Sequence, residues 1–85
     1  MKKGIAILGS TGSIGVQALE VISENYDLFQ VEVLTANENS QLLIRQAKKY
    51  SPNSVVIVNE KKYDEVFSAL NPLNIKVYSG KDSLE

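Results

Sequence analysis

The chain has 85 residues, no cysteine, no histidine and a formal net charge of −1, with 22% of its residues charged. This excludes disulfides and thiolate metal sites, argues against a zinc centre, and lacks the basic excess that a binder of nucleic-acid backbones carries. The length supports one small domain with a modest core.

Met1-Lys2-Lys3 is followed by an apolar run, Ile5 to Leu8, that ends at once in glycine. Four apolar residues are too few for a signal-peptide core or a membrane span, so the chain reads as a soluble cytoplasmic protein. The run is a first strand. Glycines follow at 9, 12 and 15, interleaved with Ser10, Thr11, Ser13 and Ile14. After them Ile14, Ala18, Val21 and Ile22 fall at helical spacing, which predicts one apolar helix face, with Glu20 and Glu24 facing away. A strand, a glycine turn and a helix in that order bring backbone N–H groups and the positive end of a helix to one point, where a pyrophosphate can sit. Gly9 serves the tight turn, Gly12 lets phosphates approach the backbone, and Gly15 lets the helix lie close on the strand. The spacing is GxxGxxG, and Val16-Gln17 stands where a nucleoside-triphosphate loop would place Lys-Ser/Thr.

Asn25-Tyr26-Asp27 is turn chemistry that ends the helix. Phe29 to Thr35 reads as a second strand, parallel to the first across a right-handed crossover. A polar loop, Ala36 to Ser40, leads to a second helix with Asn39 or Ser40 as its N-cap and Leu43, Ala47 and Tyr50 on its apolar face, flanked by Leu42. Ser51-Pro52-Asn53 stops it. Val55 to Val58 is a β-branched run typical of a covered strand. Asn59 caps a third helix carrying Tyr63, Val66, Phe67 and Leu70, Asn71-Pro72 ends it, and Ile75 to Tyr78 forms a fourth strand. The order β-α-β-α-β-α-β predicts an α/β fold, a Rossmann-like doubly wound parallel sheet in part, with helices on both faces. The last residues, Lys81 to Glu85, follow an apolar strand with no closing element. They read as a cut through a longer enzyme, whose remaining strands would cover the exposed edge.

The end of the second strand bears on nucleotide choice. NAD-binding relatives of this fold place Asp or Glu there to accept from the ribose hydroxyls. Here Leu34-Thr35-Ala36 occupies that place, and Asn37, Asn39 and Ser40 offer donors, which favours NADP(H); a second helix starting near Ser40 would add its dipole. Glu38 works against this. A carboxylate about 4 Å from a phosphate charge costs about 1 kcal/mol in water and about 4 kcal/mol at an effective dielectric near 20. The expectation is that Glu38 points into solvent.

These residues together make the chain resemble the N-terminal segment of the 1-deoxy-D-xylulose 5-phosphate reductoisomerase family. The resemblance rests on Ile5 to Gly15, on Val33 to Asn39, on Ser51-Pro52 before Val55 to Val58, and on Val77 to Gly80. It implies a cytoplasmic, homodimeric, NADPH-dependent oxidoreductase of isoprenoid biosynthesis. Such an enzyme rearranges 1-deoxy-D-xylulose 5-phosphate and reduces the product to 2-C-methyl-D-erythritol 4-phosphate, with Mg²⁺ or Mn²⁺. Carried over by residue, Thr11, Gly12, Ser13 and Ile14, framed by Gly9 and Gly15, match the pyrophosphate turn, and Asn37, Glu38 and Asn39 match the adenosine-side loop. Many members have a lysine where this chain has Glu38. The family's metal carboxylates and substrate-phosphate site fall beyond Glu85, so residues 1–85 are expected to be the N-terminal part of the NADPH-binding domain. They hold cofactor and carry no catalytic or metal-binding residue. Glu20, Glu24, Asp64 and Glu65 read as solvated helix faces. Two other readings use the same motif: an NADP-dependent reductase of the aspartate-semialdehyde dehydrogenase type, and a non-catalytic nucleotide-sensing module.

Overall fold

The computed structural model describes residues 2–80. The run from Lys81 to Glu85, read above as a cut end, lies outside them. Four strands, β1 (Lys3–Ile7), β2 (Phe29–Ala36), β3 (Ser54–Ile57) and β4 (Lys76–Ser79), alternate with three helices, α1 (Ser13–Glu24), α2 (Ser40–Tyr50) and α3 (Tyr63–Leu70). All neighbouring strands pair in parallel, in the order β1-β2-β3-β4. The alternation foreseen from the sequence is therefore present, with boundaries moved by up to three residues.

The arrangement of the helices departs from expectation. Three crossovers of the common right hand that all step in one direction lay their helices on one face of the sheet. The helices are joined in series accordingly: the Tyr50 hydroxyl on α2 donates to the Leu19 carbonyl on α1, and the Ser40 hydroxyl on α2 donates to the Glu65 carboxylate on α3. One apolar core lies beneath this layer, built from Ile7, Val31, Leu34, Ala36, Val55, Ile57 and Val77 of the strands and Leu19, Ile22, Leu43, Ala47, Val66 and Leu70 of the helices. Among the described residues no helix covers the other face. Alternation of strands with helices sets the parallel pairing, whereas a second helix layer requires the chain to reverse its stepping direction at β1. The described residues step in one direction only and carry one helix layer.

Within β2 the register slips. Ile5 pairs with Val31 but Ala6 pairs with Val33, leaving Glu32 without an opposite number. The extra residue reverses the alternation, so Val31 and Leu34, three apart, both enter the core. Thr35, between the core residues Leu34 and Ala36, consequently faces away from the helices.

The apolar stripe of α1 is also not the predicted one. Ile14 is 83% and Val21 56% exposed, while Gly15, Leu19 and Ile22 are buried, with Ala18 partly so. The rotation of the helix is set by Gly15. A Cβ there would lie 2.3 Å from the Gly9 carbonyl oxygen, so only a glycine lets α1 come this close, and that contact outranks the larger side chains on either side. On α2 Leu43 and Ala47 of the predicted face are buried and Leu42 and Tyr50 half-buried, with Gln46 added to the buried set. On α3 Val66 and Leu70 are buried, and Phe67 is partly exposed with its ring stacked on Tyr63 at 5.6 Å. A 3-10 turn, Glu60–Lys62, precedes α3, so Asn59 caps that turn, its side chain accepting from the Lys61 N–H.

Candidate cofactor site

All three β–α connections open at the carboxyl end of the sheet. The first runs from Leu8 to Gly12. Gly9 has φ +73°, in the left-handed region, with open space where a Cβ would be, so backbone conformation and not crowding demands glycine. The Gly12 N–H returns to the Gly9 carbonyl at 3.0 Å, closing the turn. Gly12 is then the N-cap of α1, in extended conformation and without a side chain to cap with, and the first turn holds no acidic residue. The first intrahelical bond is the 2.9 Å one from the Val16 N–H to the Gly12 carbonyl. The N–H groups of Ser13, Ile14 and Gly15 have no intrahelical acceptor, as at any helix start. Gly12, Ser13 and Ile14 are exposed. The result is an open, positively polarised helix end, suited to an anion.

The second connection differs. The Asn39 side chain accepts from the Leu42 N–H at 3.2 Å and caps α2. Ser40 is buried, and its hydroxyl donates to Glu65 at 2.5 Å. One expectation changes here. Ser40 is not a donor for a ligand, because its proton is used between helices. Glu20, Glu24, Asp64 and Glu65 are all exposed, as expected, and the Glu65 carboxylate in addition accepts the Ser40 proton.

An open cleft of about 710 Å³ joins these connections, lined by Gly9, Thr11, Gly12, Asn37, Glu38, Asn39, Val58 and Asn59. A more apolar groove adjoins it along β1, where Ser13, Ile14 and Gly15 line a wall shared with Gly9 and Gly12. The structure thus brings together the residues named from sequence, divided between cleft and groove. Glu38 is exposed and stands on the cleft wall between Asn37 and Asn39. Val58 and Asn59 complete the wall and went unnoticed in the sequence, where they read as strand and cap. Their backbone N–H groups donate to the Ala36 and Asn37 carbonyls at 2.9 and 2.8 Å, which seats the Asn37 to Asn39 loop against the end of β3.

Behind the glycine turn lies a buried polar network that the sequence reading also missed. Ser10 is fully buried. Its N–H donates to the Thr35 carbonyl at 2.8 Å, and the Gly9 N–H donates to the Thr35 Oγ1 at 2.8 Å. The Ser10 hydroxyl donates to the Gln46 Oε1 at 2.7 Å, and the Gln46 Nε2 donates back to the Ser10 carbonyl at 2.8 Å. A visible signal was available: Gln46 is a polar residue on the core-facing stripe of α2, beside Ala47 and three residues from Leu43. Among the described residues no group of three or more carboxylates could hold a metal ion, and no helix is long and apolar enough to cross a membrane.

A parallel sheet with an uncapped helix end at its carboxyl edge defines an α/β module of the Rossmann type. The chain belongs to the 1-deoxy-D-xylulose 5-phosphate reductoisomerase family, whose model matches residues 5–85. It is 58% identical over 84 residues to the 1-deoxy-D-xylulose 5-phosphate reductoisomerase of Phocaeicola vulgatus, and 40% identical over 84 residues to that of Halothermothrix orenii. In each case the match covers 99% of this chain and 22% of the relative. The chain therefore spans about a fifth of the length of these relatives. Among solved structures, the Zymomonas mobilis 1-deoxy-D-xylulose 5-phosphate reductoisomerase in complex with NADPH superposes with a TM-score of 0.94 at 34% identity, over 99% of this chain and 22% of that one. The family match decides against the aspartate-semialdehyde dehydrogenase type.

Proposed function

We propose that this chain is the NADPH-binding segment of an enzyme that converts 1-deoxy-D-xylulose 5-phosphate to 2-C-methyl-D-erythritol 4-phosphate in isoprenoid biosynthesis. The observation that carries the reading is the uncapped start of α1, opening beside a cleft shared by the glycine turn and the Asn37 to Asn39 loop. The NADPH complex of the Zymomonas mobilis relative supports it. In this reading the N–H groups of Ser13, Ile14 and Gly15 and the Thr11 hydroxyl receive the pyrophosphate, with Gly9 and Gly12 shaping the turn. Asn37, Glu38 and Asn39 bound the adenosine side, with Asn59 as an added wall. When bound, NADPH supplies the hydride for the reduction.

The described residues do not fit the divalent metal. No carboxylate cluster is present among them, so Mg²⁺ or Mn²⁺ belongs to the remainder of the enzyme. Residues 1–85 are then the start of the cofactor domain and inactive alone. Cytoplasmic location and homodimeric assembly go with the family resemblance. The test is a titration of the purified protein with NADPH and, separately, NADH, followed by backbone amide shifts. Shifts centred on Gly12 to Gly15 and Asn37 to Asn39, larger for NADPH, are expected; a folded protein that responds to neither nucleotide refutes the reading.

A further inference from the structure

We infer that Gln46 is a positioning residue for the dinucleotide: through Ser10 it holds the glycine turn at a fixed distance from the loop that starts α2. The inference rests on the NADPH reading above.

Gln46 is 8% exposed, and its carboxamide is bound at both ends to one residue, Ser10, which is completely buried. The orientation of the amide is settled by its partners. A main-chain carbonyl can only accept, so Nε2 faces it, and Oε1 is left for the Ser10 hydroxyl. That hydroxyl has a single proton. The 2.7 Å contact to Gln46 takes it, and the 3.3 Å approach of the same Oγ to the Thr35 carbonyl is secondary. Ser10 is thus gripped from α2 by its side chain and carbonyl, and from β2 by its N–H, while Thr35 also holds Gly9.

Burial alone does not call for this arrangement. Ala or Leu at these positions would fill the space without desolvating an amide, a hydroxyl and a carbonyl. What the polar pair adds is direction. The turn presents the N–H groups for the pyrophosphate, whereas α2 is the helix entered from the Asn37 to Asn39 loop, which carries the adenosine side of the cleft. Gln46 is the side chain of α2 that reaches the turn, so it sets the span between the two ends of one bound molecule. Ligand contacts made at both ends need that span held to a fraction of an ångström.

The test uses the complete protein that carries this chain, with NADP⁺ as probe because it withstands acid. Gln46→Met keeps the volume and removes both hydrogen bonds. Gln46→Glu keeps the shape, but near neutral pH its carboxylate only accepts, so it faces the Ser10 carbonyl without a proton between them; once protonated it donates to that carbonyl and accepts from the Ser10 hydroxyl, as glutamine does. Burial raises the pKa of such a carboxyl and brings this change into an accessible range. The titratable and charged groups beside Gln46 in the groove between α1 and α2 are Glu20, Arg45, Lys49 and Tyr50. The wild type carries all four, so the ratio of variant to wild-type Kd at each pH removes their contribution and that of the nucleotide phosphates.

The expected result is a ratio of about ten or more for both variants at pH 8. For Gln46→Glu it returns to within about twofold of unity by pH 5.5, while for Gln46→Met it stays flat. A ratio near one for folded Gln46→Met, or a Gln46→Glu ratio that does not change with pH, overturns the inference and leaves the NADPH reading standing. If Gln46→Met does not fold, the pH profile of Gln46→Glu decides alone. A wild-type protein with no affinity for NADP⁺ overturns both.

Discussion

Two helix starts lie side by side at the carboxyl end of this sheet, and they are finished in opposite ways. The start of α1 has a glycine cap, no acidic residue in its first turn and three exposed residues at its mouth. The start of α2 is capped within the protein: Asn39 accepts from the Leu42 N–H, the Ser40 N–H donates to the Glu38 carbonyl, and the Ser40 hydroxyl is taken by Glu65. Both carry a positive dipole end, so the dipole does not distinguish them. What distinguishes them is whether the protein has already used the donors. The open end is left for a ligand, and the closed end serves as a fixed wall beside it.

The contrast can be broken most severely at Gly15. Gly15→Ala forces a Cβ to 2.3 Å from the Gly9 carbonyl oxygen, and main chain cannot step aside as a flexible side chain can. Urea unfolding should register a loss of about 3 kcal/mol, with NADPH binding lost as α1 moves off the turn. A loss under about 1 kcal/mol would mean that the approach of helix to strand is adjustable.

Closing the open end is a sharper test. Gly12 has φ −80° and ψ 171°, an extended geometry that Asp adopts readily, and the nearest atom to an added Cβ is the Gly9 carbonyl oxygen at 3.4 Å. Gly12→Asp would cap α1 as Asn39 caps α2. Stability should rise by a few tenths of a kcal/mol while NADPH affinity falls by about tenfold or more, because the carboxylate takes the donors and repels the pyrophosphate. If affinity and stability moved together, the helix end would be structural only.

The complementary change opens the closed end. Asn39→Ala should cost about 1 kcal/mol of stability in thermal or urea unfolding, the usual value of a lost N-cap. NADPH should weaken only a few-fold, since the phosphate donors of α1 remain. The smallest effect is expected at Glu38, an exposed residue on the cleft wall. Glu38→Lys should tighten NADPH by about twofold at low salt, with little change for NADH and most of the gain lost at high ionic strength. A gain far above this would place the original carboxylate directly against the 2′-phosphate.

Much of this molecule was legible before folding was considered. Ile5 to Leu8 followed by glycines at 9, 12 and 15, the polar Ala36 to Ser40 loop and the Val55 to Val58 run give local signals, because strand, turn and helix-start chemistry depends on neighbours a few residues away. They lead to the element order, the parallel pairing and the residues around the cleft. The remainder depends on contacts between segments distant in the chain. Ser10 and Gln46 are 36 residues apart, and Ser40 and Glu65 are 25 apart. Neither pair has a sequence spacing that would announce it, and a hydroxyl reads the same whether it awaits a ligand or is already spent. The rotation of α1, set by a sub-van der Waals demand at Gly15, the slip at Glu32 that turns Thr35 toward Gly9, and the single helix layer among the described residues all follow from packing in three dimensions. Local chemistry marks where an anion can be held; only long-range hydrogen bonding and close backbone approach establish which of two equivalent helix ends remains free to hold it.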